Sequence, residues 1–231
     1  MVTYIEALLL GLVQGITEWL PISSSGHLVL LESFFQVNQP LLYVAVVHFA
    51  SILALLFFYR KDLLAIFRSW FSFDFTSESG RLGIYVVIGV LPAAFFGYFF
   101  YDFFQRVFTQ LLIVGITFFI NGFILLVSEL RSGKKSLTYA NSFFIGLAQV
   151  FSILPGISRS GITISAGLLQ GIDKMKVASF SFLMAIPLIF GASFYTLAKG
   201  NFSVELFPLL FSGISSFFFS YFSLQFLLAF I

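Results

Sequence analysis

Residues 14–27 read Gln-Gly-Ile-Thr-Glu-Trp-Leu-Pro-Ile-Ser-Ser-Ser-Gly-His, and they interrupt an apolar run that begins at Thr3. Pro21 removes a backbone donor and clashes with the preceding turn, while glycine loosens the chain. The run resumes at His27 and ends near Phe35, which is too short for a spanning helix of about 20 residues. We therefore expect a re-entrant hairpin, whose non-helical backbone must be buried in protein or face water.

The composition indicates a membrane protein, because 59% of the 231 residues are hydrophobic and only 10% are charged. A soluble domain carries about a quarter charged residues and could not hide this much apolar surface from water. The net charge of +2 is too small to favour nucleic acid as a partner. The chain has no cysteine, which excludes disulfide and thiolate chemistry. The sequence predicts a single transmembrane domain over residues 1–231.

Five further runs are apolar over the length of a membrane span. They are Leu41–Tyr59, Gly83–Tyr101, Thr109–Leu130, Val177–Ala198 and Val204–Ile231. A second run, Asn141–Leu154, is interrupted by Pro155 and Gly156, resumes after Gly161 and ends near Gln170. We expect it to form a second re-entrant hairpin.

The two interrupted runs share a register. Gly-Leu-Val-Gln at 11–14 matches Gly-Leu-Ala-Gln at 146–149, and Ser-Ser-Ser-Gly at 23–26 matches Ser-Arg-Ser-Gly at 158–161. Both separations are 135 (146 − 11 and 158 − 23), which indicates an internal duplication into repeats of about 1–135 and 136–231. Three spans follow the first hairpin, so the second repeat is expected to be inverted, with the site where the breaks meet. The expected fold is an all-α, polytopic helix bundle whose second repeat lacks its last spanning helix.

The basic residues predict an orientation, since cytoplasmic loops carry an excess of Lys and Arg. Two of them, Arg106 and Lys199, lie on one side, and Arg159 falls inside the bilayer. The other nine share the opposite side: Arg60, Lys61, Arg68, Arg81, Arg131, Lys134, Lys135, Lys174 and Lys176. That side is expected to be cytoplasmic, so the first hairpin enters from outside and the second from inside.

Polar side chains concentrate in the two hairpins, where a charge at the bilayer centre costs at least about 2.5 kcal/mol and implies a partner or a cavity. They are Gln14, Glu18, Ser23, Ser24, Ser25, His27, Ser158, Arg159, Ser160 and Thr163. If the breaks meet, they bring an anion, a cation, hydroxyls and an imidazole together. That set suits phosphoryl chemistry.

The residue types suggest roles. Arg159 can bind a phosphate through two parallel donors, and each Ser-Gly turn opens a helix whose N-terminus offers N–H groups to an anion. Glu18 is expected to hold a divalent cation or to act as a base, and His27 to move protons. Either Ser24 or His27 is expected to attack phosphorus.

Structural alternatives stay open for the same residues. In one alternative, Glu18 and Arg159 form only a structural ion pair. In another, Gln14 only bridges helices. His48, on the run Leu41–Tyr59, is interpreted as a hydrogen-bonded packing residue outside the catalytic set. The hydroxyls that would merely satisfy backbone groups are those of Ser23, Ser25 and Thr163.

Two motifs resemble the signatures of the undecaprenyl-diphosphate phosphatases of the BacA type. The first, at 14–27, follows the pattern Glu or Gln, three residues, Glu, then Pro-x-Ser-Ser-x-Gly-His. The second, at 155–163, reads Pro-Gly-Ile-Ser-Arg-Ser-Gly-Ile-Thr, and shorter matches lie at 80–82, 91–93 and 180–187. The resemblance runs from about residue 4 to the end. Gln14 stands where many members have Glu.

The resemblance implies an enzyme of the bacterial inner membrane that hydrolyses undecaprenyl diphosphate to undecaprenyl phosphate. This reaction recycles the carrier lipid for peptidoglycan synthesis and so serves cell wall biogenesis, cell shape and bacitracin resistance. The headgroup would be cleaved on the extracytoplasmic face, with the prenyl tail in a groove between helices. The implied partners are the polyprenyl diphosphate and membrane lipid, and a homodimer is left open.

The resemblance also implies residue roles. The catalytic set is Glu18, Ser24, His27 and Arg159, with Ser24 preferred over His27 as nucleophile. Gln14 and Glu18 would bind a divalent cation, Mg or Ca. The substrate-binding set is Ser23, Ser25, Gly26, Ser158, Ser160, Gly161 and Thr163.

A transporter or flippase for polyprenyl-phosphate lipids is the alternative function, because inverted repeats with broken helices are also a transporter architecture. A structural or assembly role would leave the buried Glu18 and Arg159 unexplained.

Overall fold

The computed structural model describes residues 3–35, 41–100, 103–104, 107, 110–131, 133–199 and 205–230. At positions 41, 197 and 199 it describes the backbone alone. Within these ranges the chain is helical and forms no strand, apart from one isolated parallel bridge between Lys135 and Ile172. The all-α class predicted from the sequence is confirmed.

The first interrupted run forms two helices, α1 (Tyr4–Thr17) and α2 (Ser24–Phe35), which pack against each other as a hairpin. Helix α1 begins with a capping box, in which Thr3 and Glu6 exchange side-chain and backbone hydrogen bonds. The second interrupted run forms α7 (Tyr139–Val150), a 3-10 turn (Phe151–Ile153) and α8 (Arg159–Leu169), and α7 packs on α8. Both predicted breaks are confirmed.

Both helices that follow the breaks begin three residues earlier than the apolar pattern suggested, at Ser24 and at Arg159. The reason lies in the serine just before each of them. The backbone N–H of Gly26 donates to Oγ of Ser23 (3.3 Å), and that of Gly161 donates to Oγ of Ser158 (3.1 Å). Each serine therefore caps its helix, and the glycines lie inside the first turn.

The remaining helices are the spans and their connections. They are α3 (Leu41–Phe58), α4 (Arg60–Phe71), α5 (Glu78–Phe99), α6 (Leu111–Glu129), α9 (Lys174–Lys199) and α10 (Leu206–Phe230). Helices α5, α6, α9 and α10 are long and apolar enough to cross a membrane. Helix α3 bends by 77° into α4, and this pair adds a fifth span if it is counted as one.

The core lies around α9. In its apolar stretch of 18 residues 56% is buried inside the protein, against 22–33% in the matching stretches of α5, α6 and α10. Helix α9 packs on α3, α5 and α8, while α10 lies between α1 and α3. The chain is therefore a polytopic membrane helix bundle. The inverted relation of the repeats, their boundaries and the single domain stay predictions.

Candidate active site

The two breaks lie against each other inside the bundle. The backbone N–H of Gly156, in the second break, donates to Oγ of Ser23 in the first (3.1 Å). Asn121 of α6 holds both breaks, because its Nδ2 donates to the carbonyl of Pro21 (2.9 Å) and its Oδ1 accepts from the N–H of Ser158 (2.9 Å). The predicted meeting of the breaks is confirmed.

The backbone at this junction is unusual at two positions. Ser23 has a φ of 66°, in the left-handed region that non-glycine residues rarely adopt. Gly156 has a φ of +97°, and a Cβ there would lie 2.1 Å from Oγ1 of Thr117. The Thr117 hydroxyl also bonds the carbonyl of Pro155. The surrounding contacts stabilise a strained turn, as is common at functional sites.

Glu18 and Arg159 form a buried ion pair across the two breaks. Nη2 of Arg159 donates to Oε1 of Glu18 at 2.8 Å, and the side chains are 10% and 5% exposed. The guanidinium also lies over the ring of Trp19, 5.5 Å from its centroid, and contacts the carbonyl of Ser181 at 3.5 Å. The predicted juxtaposition of an anion and a cation is therefore present.

The other oxygen of Glu18 accepts two further hydrogen bonds. Oγ of Ser24 donates to Oε2 at 2.5 Å, and Nε2 of Gln14 donates to it at 2.8 Å. A serine hydroxyl that donates to a buried carboxylate has the geometry of a nucleophile beside its base. Ser24 and Arg159 are also equivalent in the repeat register, since 159 − 24 = 135.

His27 lies beside this centre without bonding to Glu18 among the contacts described. Its Nδ1 bonds the carbonyl of Ser23 (2.8 Å), and its ring meets that of Phe118 edge to face at 5.2 Å between centroids. The ring is half-buried. Of the two candidate nucleophiles, Ser24 is the one that contacts a carboxylate.

Most of the predicted substrate-binding hydroxyls bond to the protein itself. Oγ of Ser160 donates to the carbonyl of Leu20 (3.2 Å), and Oγ1 of Thr163 bonds the carbonyl of Arg159 (2.7 Å) and Oγ of Ser181 (2.6 Å). Ser25 bonds Oγ of Ser23 (3.2 Å). The Ser160 contact joins the two breaks, whereas the Thr163 contacts bond α8 to itself and to α9, and the Ser25 contact lies within the first break.

The glycines of the predicted substrate-binding set lie at close approaches of the chain. A Cβ on Gly26 would lie 3.0 Å from the backbone of Gly156, and one on Gly161 would lie 3.1 Å from Oδ1 of Asn121. The substrate-binding role of the whole set stays a prediction.

His48 of α3 joins the site, although the sequence pattern left it out. Its Nε2 lies 3.6 Å from Oε2 of Glu18, and its Nδ1 bonds the carbonyl of Val44 at 2.8 Å. The signal that would have found it is the one that marked Glu18: an ionisable residue inside a long apolar run.

Gln14 and Glu18 offer oxygen ligands to a divalent cation, although the described site has one carboxylate. No cluster of three or more His, Cys, Asp or Glu side chains that could hold a metal ion occurs in the part of the chain that the structure describes. Oε1 of Gln14 is fully buried and has no hydrogen-bond partner there, so an acceptor is left over beside Glu18. Magnesium is commonly held by one or two carboxylates together with substrate phosphates and water.

Comparison with known proteins identifies the family of this chain. The family described as bacitracin resistance protein BacA matches residues 7–231. The undecaprenyl-diphosphatase of Carboxydothermus hydrogenoformans is 40% identical over 235 aligned residues, which cover 96% of this chain and 87% of that protein. The protein of the same name from Bacteroides fragilis is 42% identical over 193 residues, or 81% of this chain and 72% of that protein. That from Methanococcus vannielii is 39% identical over 198 residues, or 84% and 79%. The chain belongs to the BacA family.

Proposed function

We propose that this chain is an integral membrane phosphatase that hydrolyses undecaprenyl diphosphate to undecaprenyl phosphate and phosphate. The observation that carries the proposal is the hydrogen bond from Ser24 to a buried Glu18, whose other oxygen is paired with Arg159. The relatives named undecaprenyl-diphosphatase, which are about 40% identical over most of the chain, support the same activity. A role limited to moving the lipid is not favoured.

Arg159 binds the diphosphate. A guanidinium has five N–H donors, and two of them are used by Glu18 and by the carbonyl of Ser181 among the contacts described. The other donors are left for phosphate oxygens, which match the planar fork of arginine. The N-termini of α2 and α8 add N–H groups and positive dipole ends at the same point.

Ser24 is the nucleophile in this proposal. Its Oγ forms a bond to the terminal phosphorus as the bond from that phosphorus to the bridging oxygen breaks, and undecaprenyl phosphate leaves. The Ser24 proton passes to Glu18, whose Oε2 already accepts it as a hydrogen bond. Water then attacks the phosphoserine as the bond from phosphorus to Oγ breaks, the proton held on Glu18 returns to Oγ of Ser24, and phosphate departs with the oxygen and both protons of the water.

The divalent cation belongs to the proposal as well. Gln14 and Glu18 would hold Mg or Ca, which would neutralise charge on the diphosphate oxygens. His27, whose Nδ1 bonds the carbonyl of Ser23, would exchange protons near the leaving group.

The location of the site is a further part of the proposal. Spanning helices place the chain in a membrane. The nine basic residues on one side support the bacterial inner membrane with that side cytoplasmic. The first break then opens to the extracytoplasmic face, where the headgroup is cleaved and the carrier lipid is released for reuse.

Phosphate release from undecaprenyl diphosphate by purified, reconstituted protein tests the proposal. Ser24→Ala should lower turnover more than about 1000-fold, since a nucleophile has no substitute. Ser33→Ala is the matched control, because Ser33 lies exposed on the same helix, and it should keep full activity. A trapped phosphoenzyme should be stable to acid, as a phosphoserine is, and absent in Ser24→Ala. Movement of the lipid between leaflets without phosphate release would contradict the proposal.

A further inference from the structure

The His48 ring has a defined orientation. Its Nδ1 lies 2.8 Å from the carbonyl oxygen of Val44, and a carbonyl can only accept, so Nδ1 carries the proton. In the neutral ring the lone pair then lies on Nε2, the atom that faces Glu18. An imidazole that donates one N–H to a backbone carbonyl and directs the other nitrogen into a site is the usual arrangement of a metal-bound histidine.

With the neutral ring, two electron-rich atoms therefore face each other. Nε2 of His48 and Oε2 of Glu18 are 3.6 Å apart, which is too far for a good hydrogen bond. Two ligands that each lie about 2.1 Å from one cation, at 90–110° to each other, are about 3.0–3.4 Å apart. A small side-chain shift would bring both onto one ion.

A third group lies at the same place. The Gln14 amide is fully buried and touches Oε2 of Glu18 through Nε2, while its Oε1 has no hydrogen-bond partner among the described residues. A half-turn of this amide exchanges the two atoms and presents the oxygen to a cation. The nitrogen, the carboxylate and the amide come from α3, from the first break and from α1.

We propose that His48 is a direct nitrogen ligand of the divalent cation at this site, together with Glu18 and Gln14. Imidazole suits transition metals, whereas Mg and Ca prefer oxygen. The site should therefore bind Mn²⁺ more tightly than Ca²⁺. The inference rests on the proposed function only in that the diphosphate completes the coordination. Nη2 of Arg159 lies 2.8 Å from Oε1 of Glu18, and its positive charge disfavours binding of a metal cation until the anionic substrate is bound.

Spin-echo spectroscopy of bound Mn²⁺ tests the assignment without turnover. The chain has only two histidines, His27 and His48, so ¹⁵N-histidine labelling of tag-free protein reports on these two rings alone. Mn²⁺ is added alone and with methylenediphosphonate, a diphosphate analogue that cannot be hydrolysed. We expect the echo modulation of a directly bound histidine nitrogen, which changes on labelling. Its absence in both conditions would overturn the proposal.

Two variants assign the nitrogen. His48→Gln should abolish the modulation, weaken Mn²⁺ binding by about tenfold or more and remove the preference over Ca²⁺. His27→Gln is the matched control. It should keep the echo modulation, the Mn²⁺ affinity and the preference over Ca²⁺, since the Nδ1 of His27 bonds the turn at Ser23. Modulation lost in His27→Gln and kept in His48→Gln would overturn the proposal. Phosphate release is measured separately, so a failure of the proposed activity leaves the binding result readable.

Discussion

Glu18 accepts hydrogen bonds on both carboxylate oxygens, from Arg159 on one and from Ser24 and Gln14 on the other. A buried charge is tolerated only when it is paired and hydrogen-bonded, and this one is both. The same arrangement gives the hydroxyl of Ser24, the proposed nucleophile, a proton acceptor in Glu18, and it places the guanidinium of Arg159 beside that carboxylate. The alternative that Glu18 and Arg159 form only a structural ion pair leaves the contact with Ser24 unexplained.

Glu18→Gln tests this residue. The amide keeps the shape but cannot accept a proton, so we expect phosphate release to fall by about 100- to 10,000-fold. It also leaves Arg159 buried without its anion, which costs about 3–5 kcal/mol of stability. Turnover and thermal unfolding in detergent measure the two effects.

Glu129→Gln is the control for that variant. Glu129 pairs with Lys174 at 3.1 Å, but the two side chains are 67% and 40% exposed. An exposed pair contributes about 0–1 kcal/mol, so this variant should resemble the parent in both measurements. Full turnover in Glu18→Gln would remove Glu18 from the catalytic set.

At the scale of elements, small residues let α1 and α10 pack closely. Oγ of Ser215 donates to the carbonyl of Leu8 (3.0 Å), and Oγ of Ser223 donates to that of Ile16 (2.8 Å). A Cβ on Gly11 would lie 2.2 Å from the carbonyl oxygen of Ser212. Small residues and interhelical hydrogen bonds replace the hydrophobic effect as the main association force inside a membrane. This contact positions α1, which carries Gln14 and leads into the first break.

Gly11→Ala should therefore separate the two helices. The added methyl group meets backbone, so we expect a loss of about 1–3 kcal/mol and a lower thermal midpoint in detergent. Gly115→Ala is the matched control, because Gly115 lies exposed on α6 and a Cβ there has no neighbour within 4 Å. Alanine favours a helix over glycine by about 1 kcal/mol, so the control should be unchanged or more stable. Equal midpoints for the two variants would contradict the packing argument.

At the scale of the whole molecule, the site exists only because two breaks that are far apart in the chain converge. Asn121 of α6 bonds backbone groups of both, and Glu18 and Arg159 are separated by 141 positions. Neither hairpin contains the complete site. The orientation of the helices in the membrane therefore also decides from which side of the membrane the diphosphate must enter the site.

Cysteine labelling tests that orientation, since the chain has no cysteine of its own. Single substitutions Lys134→Cys, between α6 and α7, and Glu205→Cys, before α10, lie at exposed positions. A membrane-impermeant maleimide applied to intact cells should label Glu205→Cys, whereas Lys134→Cys should react only after permeabilisation. The reverse pattern would place the basic side outside the cell and contradict an extracytoplasmic active site.

Much of the fold could be predicted because it depends on local physics. Hydropathy over about 20 residues marks spans, and Pro21 and Pro155 interrupt helices wherever the chain goes. The helix starts were harder, since they depend on the caps made by Ser23 and Ser158 and not on the apolar pattern. The candidate residues could be named because polar groups are costly in lipid, and this cost does not depend on tertiary structure.

The sequence by itself determined that this chain is a membrane helix bundle, where its helices break and which polar residues the breaks carry. Only the tertiary structure decided that Ser24 bonds Glu18, that Thr163 bonds its own helix and Ser181, and that His48 lies beside the carboxylate. These contacts depend on how helices distant in the chain are packed and rotated. Local periodicity and composition specify neither which helices pack together nor how each helix is rotated.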